Sequence, residues 1–302
     1  MLDDAGHDYL RIGNETSCDP RFKSHLLEQM LGREPKLDDT RRRMTETPVV
    51  VGTTSMLQAR PHIFQLKHFS LAIVDEASQI MEPGLVGLLS SDRIERFILV
   101  GDHKQLPAVV QQTVQESQVT DPLLTAIGIT DCRLSLFQRL LRWEQRCGRT
   151  QFTGILRKQG RMHPDIAAFP NEMFYRQEHL EPVPLKHQTD TSLHYDLPSQ
   201  DTVDEVLKQR RVVFIDSESP ERPKDIRFSD KTNPAEARIV ADLLRRIHRF
   251  TEEHFDTAKT VGAIVPYRRQ IALIRQAIGN DEALQAVTID TVERYQGSQR
   301  DV

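Results

Sequence analysis

Asp75 and Glu76 are adjacent carboxylates at the end of a four-residue apolar run, Leu71-Ala72-Ile73-Val74. Hydrolysis of a phosphate anhydride needs a hard oxygen ligand for Mg²⁺ and a base that orients the attacking water. Two consecutive carboxylates at a strand end can divide those roles. The same dipeptide also occurs at ordinary strand-to-helix turns. Here the apolar run before it and Ala77-Ser78-Gln79 after it favour the chemical reading. A second polar cluster, Gly101-Asp102-His103-Lys104-Gln105-Leu106-Pro107, follows another apolar run, Phe97-Ile98-Leu99-Val100. Gln105 is neutral, so it can hydrogen-bond a γ-phosphate or its attacking water without competing for the metal. Gly101 permits an unusual backbone turn, and Pro107 fixes the exit. Two strand-end clusters this close in sequence could face one ligand from neighbouring strands, and a nucleoside triphosphate with Mg²⁺ suits them. The Gly-rich phosphate loop G-x-x-x-x-G-K-[ST] that ordinarily accompanies such a pair occurs nowhere in the 302 residues.

The elements that must position these groups read as α/β. Short, continuously apolar and β-branched runs recur at Val49–Val51, Leu71–Val74, Phe97–Val100, Val212–Ile215, Val261–Val265 and Val287–Ile289. Continuous rather than alternating hydrophobicity predicts strands covered on both faces, as in a parallel sheet sandwiched by helices. Helical stretches lie between them. Asn233-Pro234-Ala235-Glu236 offers an N-cap Asn, a first-turn Pro and a capping-box Glu. It leads into a face of Ile239, Val240, Leu243, Leu244 and Ile247. Arg268–Ile278 presents Ile271, Ile274 and Ile278 at helical spacing. A polar break at Arg146-Cys147-Gly148-Arg149, after a helical Ser135–Trp143, predicts two domains, 1–148 and 149–302, on the prior of about 150 residues each. Pro182–Asp230, polar and Pro-rich apart from Val212–Ile215, reads as a surface excursion of the second domain.

Composition bounds the class. Hydrophobic residues make up 38% and charged residues 28%, and the net charge of −4 argues against attraction of polyanions over the whole surface. A nucleic acid would need a local basic groove. Arg41-Arg42-Arg43, Arg210-Arg211, Arg245-Arg246 and Arg268-Arg269 are basic clusters, each equally at home as a solvated face. The three cysteines, Cys18, Cys132 and Cys147, are odd in number and lack metal-ligand spacing, which suits a reducing cytoplasm. No apolar run approaches membrane-spanning length and the N-terminus is acidic, so a soluble cytoplasmic protein with no membrane partner is expected.

Taken in order, the polar clusters resemble motifs of superfamily-1 helicases, specifically the up-frameshift-type branch. Asp75-Glu76-Ala77-Ser78-Gln79 and Gly101–Pro107 are similar to motifs II and III. Val51-Gly52-Thr53-Thr54 resembles the nucleic-acid-contacting segment ahead of motif II. Ser135-Leu136-Phe137-Gln138-Arg139-Leu140 resembles the S-L-F-E-R-L helix, and Gln159-Gly160-Arg161-Met162-His163-Pro164 the Q-Y-R-M-H-P motif. Val265-Pro266-Tyr267-Arg268-Arg269-Gln270 resembles T-P-Y-x-x-Q, and Asp290–Val302 resembles D-T-V-D-x-F-Q-G-x-E-x-D-V. Leu10–Asn14 is similar to the strand that follows the family's early motifs.

The resemblance implies two RecA-like P-loop NTPase-type domains, both incomplete, acting with ATP and Mg²⁺ on single-stranded nucleic acid, DNA or RNA, with 5′ to 3′ polarity. Asp75 would hold Mg²⁺, Glu76 would be the base, and Gln105 would sense the γ-phosphate. Arg161 would be an arginine finger reaching across the interdomain cleft, a role worth ~10³-fold or more in rate. Gly101, Asp102, Gln159, Gln296, Gly297 and Gln299 would lie at the nucleotide. Thr53, Thr54 and Thr291 would grip the nucleic-acid backbone without reading sequence. Tyr267 would stack or hydrogen-bond near that path, or else pack on the domain surface. His163 is expected to make a structural hydrogen bond and Trp143 to pack.

Three departures accompany the resemblance. The phosphate loop is absent, and the family's final Arg-bearing motif is not found. Gly160 stands where a Tyr usually stacks on adenine, and Gln299 where an acidic residue usually helps hold the nucleotide. The expectation is therefore an internal piece of a longer helicase, a weak ATPase by itself. The rival reading is a non-enzymatic nucleic-acid-binding remnant of a truncated gene. An unrelated Mg-dependent hydrolase would leave Arg161 and 290–302 unexplained.

Overall fold

The computed structural model describes residues 2–32, 36–217 and 231–302. The chain forms two compact units, Met1–Gly154 and Ile155–Val302.

In the first unit the apolar runs become strands that pair in parallel. β1 (Tyr9–Ile12) lies beside β2 (Val49–Gly52) in the register Tyr9↔Val49 to Ile12↔Gly52. Leu10, Ile12, Met44 and Ile63 bury together beneath this pair. Full burial of a side chain such as Leu10 contributes roughly 2 kcal/mol. β3 (Ala72–Val74) pairs with β4 (Phe97–Leu99), Val74 facing a second small core of Ala77, Leu85 and Leu136. Ser135 starts the helix Leu136–Arg146 by accepting the Gln138 amide, 3.2 Å. Trp143, half-buried on that helix, packs under the Gly128 turn, as expected.

The second unit is built the same way. β5 (Lys158–Gln159) pairs with β6 (Glu181–Pro182), and β7 (Gly262–Val265) with β8 (Thr288–Thr291), both in parallel. The helix Pro234–Thr251 begins at Asn233, whose side chain accepts the Ala235 and Glu236 amides. The expected return bond from Glu236 is replaced by one from Ser217 to the Glu236 carboxylate, 3.2 Å. Its buried stripe is Ala237, Ala241, Leu244 and Ile247, rotated from the predicted face so that Ile239 and Leu243 are only half-buried. Two alanines on the inner face allow close approach to the neighbouring helix Arg268–Ile278, which buries Ile274 and Ile278. The buried Gln270 carboxamide joins the two helices, accepting the Asn233 amide and donating to the Asn233 carbonyl, each at 2.8 Å.

Two expectations are corrected. Apolar continuity predicted strands covered on both faces. The described strands instead form four separate two-stranded pairs, and Ile73 and Ile98, pointing away from Val74 and Leu99, remain 65% and 47% exposed. Val212–Ile215 is not a strand. It leaves the helix Thr202–Gln209, is tethered through Arg211 to the Asp190 and Ser192 carbonyls, and leaves Phe214 93% exposed. An apolar run becomes a strand only where a neighbouring edge supplies backbone partners, and among the described residues none does so here. Residues 218–230 of the predicted excursion lie outside the described residues. Among those described, no helix is long and apolar enough to cross a membrane.

Candidate active site

The site in the first unit is made by the parallel pairing of β3 and β4. Pairing continues past the strand ends: the Val100 amide donates to the Val74 carbonyl and the Ala77 amide to the Val100 carbonyl, both at 2.8 Å. Asp75-Glu76 and Gly101-Asp102 therefore emerge side by side. Glu76 adopts a left-handed backbone, φ +51°. That region costs a non-glycine residue about 1–2 kcal/mol and persists where the surroundings over-determine it. Two hydrogen bonds hold it there. The Glu76 amide donates to Asp75 Oδ1 (2.9 Å), and the Gln79 carboxamide donates to Glu76 Oε2 (2.7 Å). Both carboxylates are exposed.

Ser78 joins the clusters. Its side chain is nearly buried, and its hydroxyl oxygen accepts the Asp102 amide, 3.1 Å. Asp102 in turn accepts the Lys104 amide through Oδ1 and the Gln105 carboxamide through Oδ2, each at 3.0 Å. Gly101 is required by the close approach, since a Cβ there would lie 2.8 Å from the Ser78 amide nitrogen. Asp75, Glu76, Gly101, Asp102 and Gln105 are thus assembled in one place.

The Asp75 carboxylate is a hard oxygen donor with one oxygen engaged by the Glu76 amide. Mg²⁺ typically takes one or two carboxylates and completes its shell with phosphate and water, so this donor fits that ion. Among the described residues no group of three His, Cys, Asp or Glu side chains is placed to hold a metal ion.

Thr53 and Thr54 lie at the end of β2, in the other strand pair of this unit. Thr53 caps the helix Thr54–Gln58 by accepting the Met56 amide, 3.3 Å, which leaves its hydroxyl hydrogen available to donate.

In the second unit, Arg161 sits in the turn between β5 and the helix Pro164–Met173. The Gln159 carboxamide is turned onto its own loop. Its Oε1 accepts the Arg161 and Met162 amides (2.9 and 2.7 Å), and its Nε2 donates to the Met162 carbonyl (2.7 Å). These bonds close the loop, because a short turn leaves its backbone groups without strand or helix partners. At Gly160, an added Cβ would meet Leu185 at 3.3 Å. His163 makes the expected structural bond, accepting the Asp165 amide through Nδ1 at 3.2 Å. Gln188, 2% exposed, holds the same turn from a distance; no local sequence pattern marks it, and sequence reasoning missed it.

Tyr267 and Thr291 leave adjacent strands, since Val265 pairs with Thr291 across β7 and β8. Tyr267 is 45% exposed, with Lys231 over its ring at 5.8 Å. Thr291 is nearly buried. The Glu293 carboxyl is held below its usual range first by its own backbone amide and then by the Thr291 hydroxyl. Gln296 places a buried amide nitrogen with no hydrogen-bond partner. Gly297 is left-handed at φ +79° and, like Gln299, exposed. The segment is pinned by Tyr295, whose hydroxyl donates to the Thr288 carbonyl, and by the Asp301 and Val302 amides, which donate to Lys259 and Thr260.

The fold and this site define an α/β protein with a carboxylate pair at a parallel strand end. Two family profiles, each described as an AAA domain, match residues 24–113 and 132–302. The second covers more than half of the sequence, and the chain belongs to the AAA-domain family. It is 28% identical over 262 residues to an uncharacterized ATP-dependent helicase of Methanocaldococcus jannaschii, covering 85% of this chain and 34% of that protein. It is 27% identical over 310 residues to the human DNA replication ATP-dependent helicase/nuclease DNA2, covering 97% of this chain and 26% of that one. Identity to the DNA polymerase alpha-associated DNA helicase A of Saccharomyces cerevisiae is 26% over 248 residues, 79% of this chain and 33% of the relative. The chain thus spans about a third or less of the length of these relatives.

Proposed function

We propose that this chain is part of an ATP-dependent nucleic-acid helicase or translocase of superfamily 1, of the up-frameshift type, with RecA-like domains at 1–148 and 149–302. The observation that carries this reading is the parallel β3–β4 pair, which puts Asp75-Glu76 beside Gly101–Gln105 and links them through Ser78. The relatives' names, each an ATP-dependent or DNA helicase, support the same class.

In this reading Asp75 holds Mg²⁺, which when bound neutralises charge on the phosphates. Glu76 accepts a proton from the attacking water. Its left-handed backbone and the bond from Gln79 fix the carboxylate that must receive it. Gln105, held by Asp102, hydrogen-bonds the γ-phosphate or that water. Arg161 supplies a guanidinium to the charge that develops on the transferred phosphoryl group. Gln296 carries an unsatisfied donor for the nucleotide, with Gly297 and Gln299 beside it. Thr53, Thr54 and Thr291 contact a single-stranded backbone and Tyr267 stacks near it. The DNA-directed names of two relatives favour DNA over RNA.

The test is ATP hydrolysis by the intact protein with and without single-stranded DNA or RNA. Glu76→Gln should lower kcat by about 10³-fold while nucleic-acid binding persists. Strand-stimulated turnover that survives Glu76→Gln overturns the assignment. Nucleic-acid binding with no ATP turnover in the unmutated protein favours the binding-only reading instead.

A further inference from the structure

The turn that carries Arg161 is held by two carboxamides, and the more distant one has no role in the reading above. Gln188 lies on the short helix Lys186–Thr189, 2% exposed. Its Nε2 donates to two carbonyls of the turn, Gln159 and Met162, both at 2.9 Å, while its Oε1 accepts the Leu185 amide. The same two carbonyls take further donors. The Val183 amide reaches the Gln159 carbonyl at 2.9 Å, and the Gln159 carboxamide reaches the Met162 carbonyl at 2.7 Å. The Gly160 carbonyl between them accepts from the His187 imidazole, 3.0 Å, which requires the Nε2–H form of that ring. Three of the turn's four carbonyls, those of Gln159, Gly160 and Met162, are therefore gripped from the 183–188 segment or by Gln159.

This arrangement fixes the backbone while leaving the Arg161 side chain out. Among the described residues the guanidinium of Arg161 makes no hydrogen bond or ion pair, and the residue is exposed. A cation that must meet a developing charge gains from a rigid mount, because a misplacement of about 1 Å can cost about 10²-fold in rate. A buried carboxamide makes such a mount. Both of its N–H groups are used, so the turn cannot shift without leaving a buried donor unpaired.

We propose that Gln188 is a positioning residue for Arg161, holding the Gln159–Met162 turn in the geometry in which the guanidinium acts. The proposal rests on the reading of Arg161 as the group that meets phosphoryl charge.

Gln188→Met keeps the side-chain volume and removes both donors, and Gln188→Glu keeps the acceptor for Leu185 while setting oxygen against oxygen. In the intact protein, hydrogen exchange at the Arg161 and Met162 amides should rise by about 10-fold in either variant, with the helix Pro234–Thr251 unchanged. Strand-stimulated kcat should fall by about 10- to 100-fold with KM for ATP within about twofold. The double variant with Arg161→Ala should be no slower than Arg161→Ala alone. If Gln188→Met loses protection in Pro234–Thr251 as well, the comparison is made on Gln188→Glu. Unchanged exchange at Arg161 and Met162, or rate losses that multiply in the double variant, overturn the proposal. An Arg161→Ala protein with undiminished kcat overturns the Arg161 reading instead, and the exchange result separates the two failures.

Discussion

Arg139 grips Glu82 across 57 residues of chain, Nε to Oε2 at 2.7 Å with the second guanidinium nitrogen on Oε1. Both side chains are largely buried, at 13% and 19% exposure, and Arg139 also donates to the Ile127 carbonyl at 2.9 Å. Glu82 follows the Asp75–Gln79 turn and opens the helix Pro83–Leu89, so the pair fastens that turn to the helix Leu136–Arg146. Arg139→Ala should destabilise the protein by about 3 kcal/mol in urea denaturation, since it leaves a buried carboxylate unpaired. Arg139→Lys retains the charge but not the fork, and should recover only part of that loss.

Gly101→Ala tests the close contact between the two site clusters. The added Cβ would sit 2.8 Å from the Ser78 amide nitrogen, which is backbone and cannot swing aside. Stability should fall by about 1–3 kcal/mol, and ATP turnover by the intact protein should fall with it. A crystal structure of the variant should show the Asp102–Ser78 bond lengthened or lost.

Glu76 holds a left-handed backbone that glycine adopts without strain. Glu76→Gly should therefore raise unfolding free energy by about 1 kcal/mol while abolishing hydrolysis, the opposite signs expected of a strained catalytic position. Paired denaturation and ATPase measurements check both at once. A loss of stability would show that the hydrogen bond from Gln79 to the Glu76 carboxylate outweighs the backbone strain.

Asp204 is a test of pH dependence in the second unit. Its carboxylate is inaccessible to solvent and receives Arg246 at 2.7 Å, Arg249, and the Gln200 amide at 2.8 Å. Burial pushes its pKa up, but the hydrogen bonds from Gln200, Arg246 and Arg249 outweigh that and bring it down from 3.8 to about 2. A carboxyl with a depressed folded-state pKa contributes stability above its unfolded value and loses it on acidification. The contribution should be present above about pH 4 and decline toward pH 2, read as a falling melting temperature. Asp204→Asn should flatten that part of the profile and lower the melting temperature at pH 7.

Much of the chemistry was legible because it is local. Leu71–Val74 before Asp75-Glu76, and Phe97–Val100 before Gly101, encode strand ends through adjacent residues alone. Asn233-Pro234 likewise marks a helix start through side-chain bonds to amides two and three residues on. The closeness of the two runs in sequence suggested neighbouring strands, and β3 and β4 do pair in parallel.

What the sequence could not decide is which distant groups meet. Val212–Ile215 has the composition of a strand and lacks a paired edge, and Ile73 and Ile98 are apolar yet uncovered. Gln159 resembled a ligand-binding residue. Its carboxamide closes its own turn, and Gln188, 26 residues beyond Met162, folds back to hold the same Met162 carbonyl. Residue types and spacing determined that carboxylates, a neutral amide and an arginine were present at turns. Hydrogen-bond partners remote in sequence decided which of those groups are fixed, which are engaged and which stand free, because a buried polar group must find its partner wherever the fold brings one.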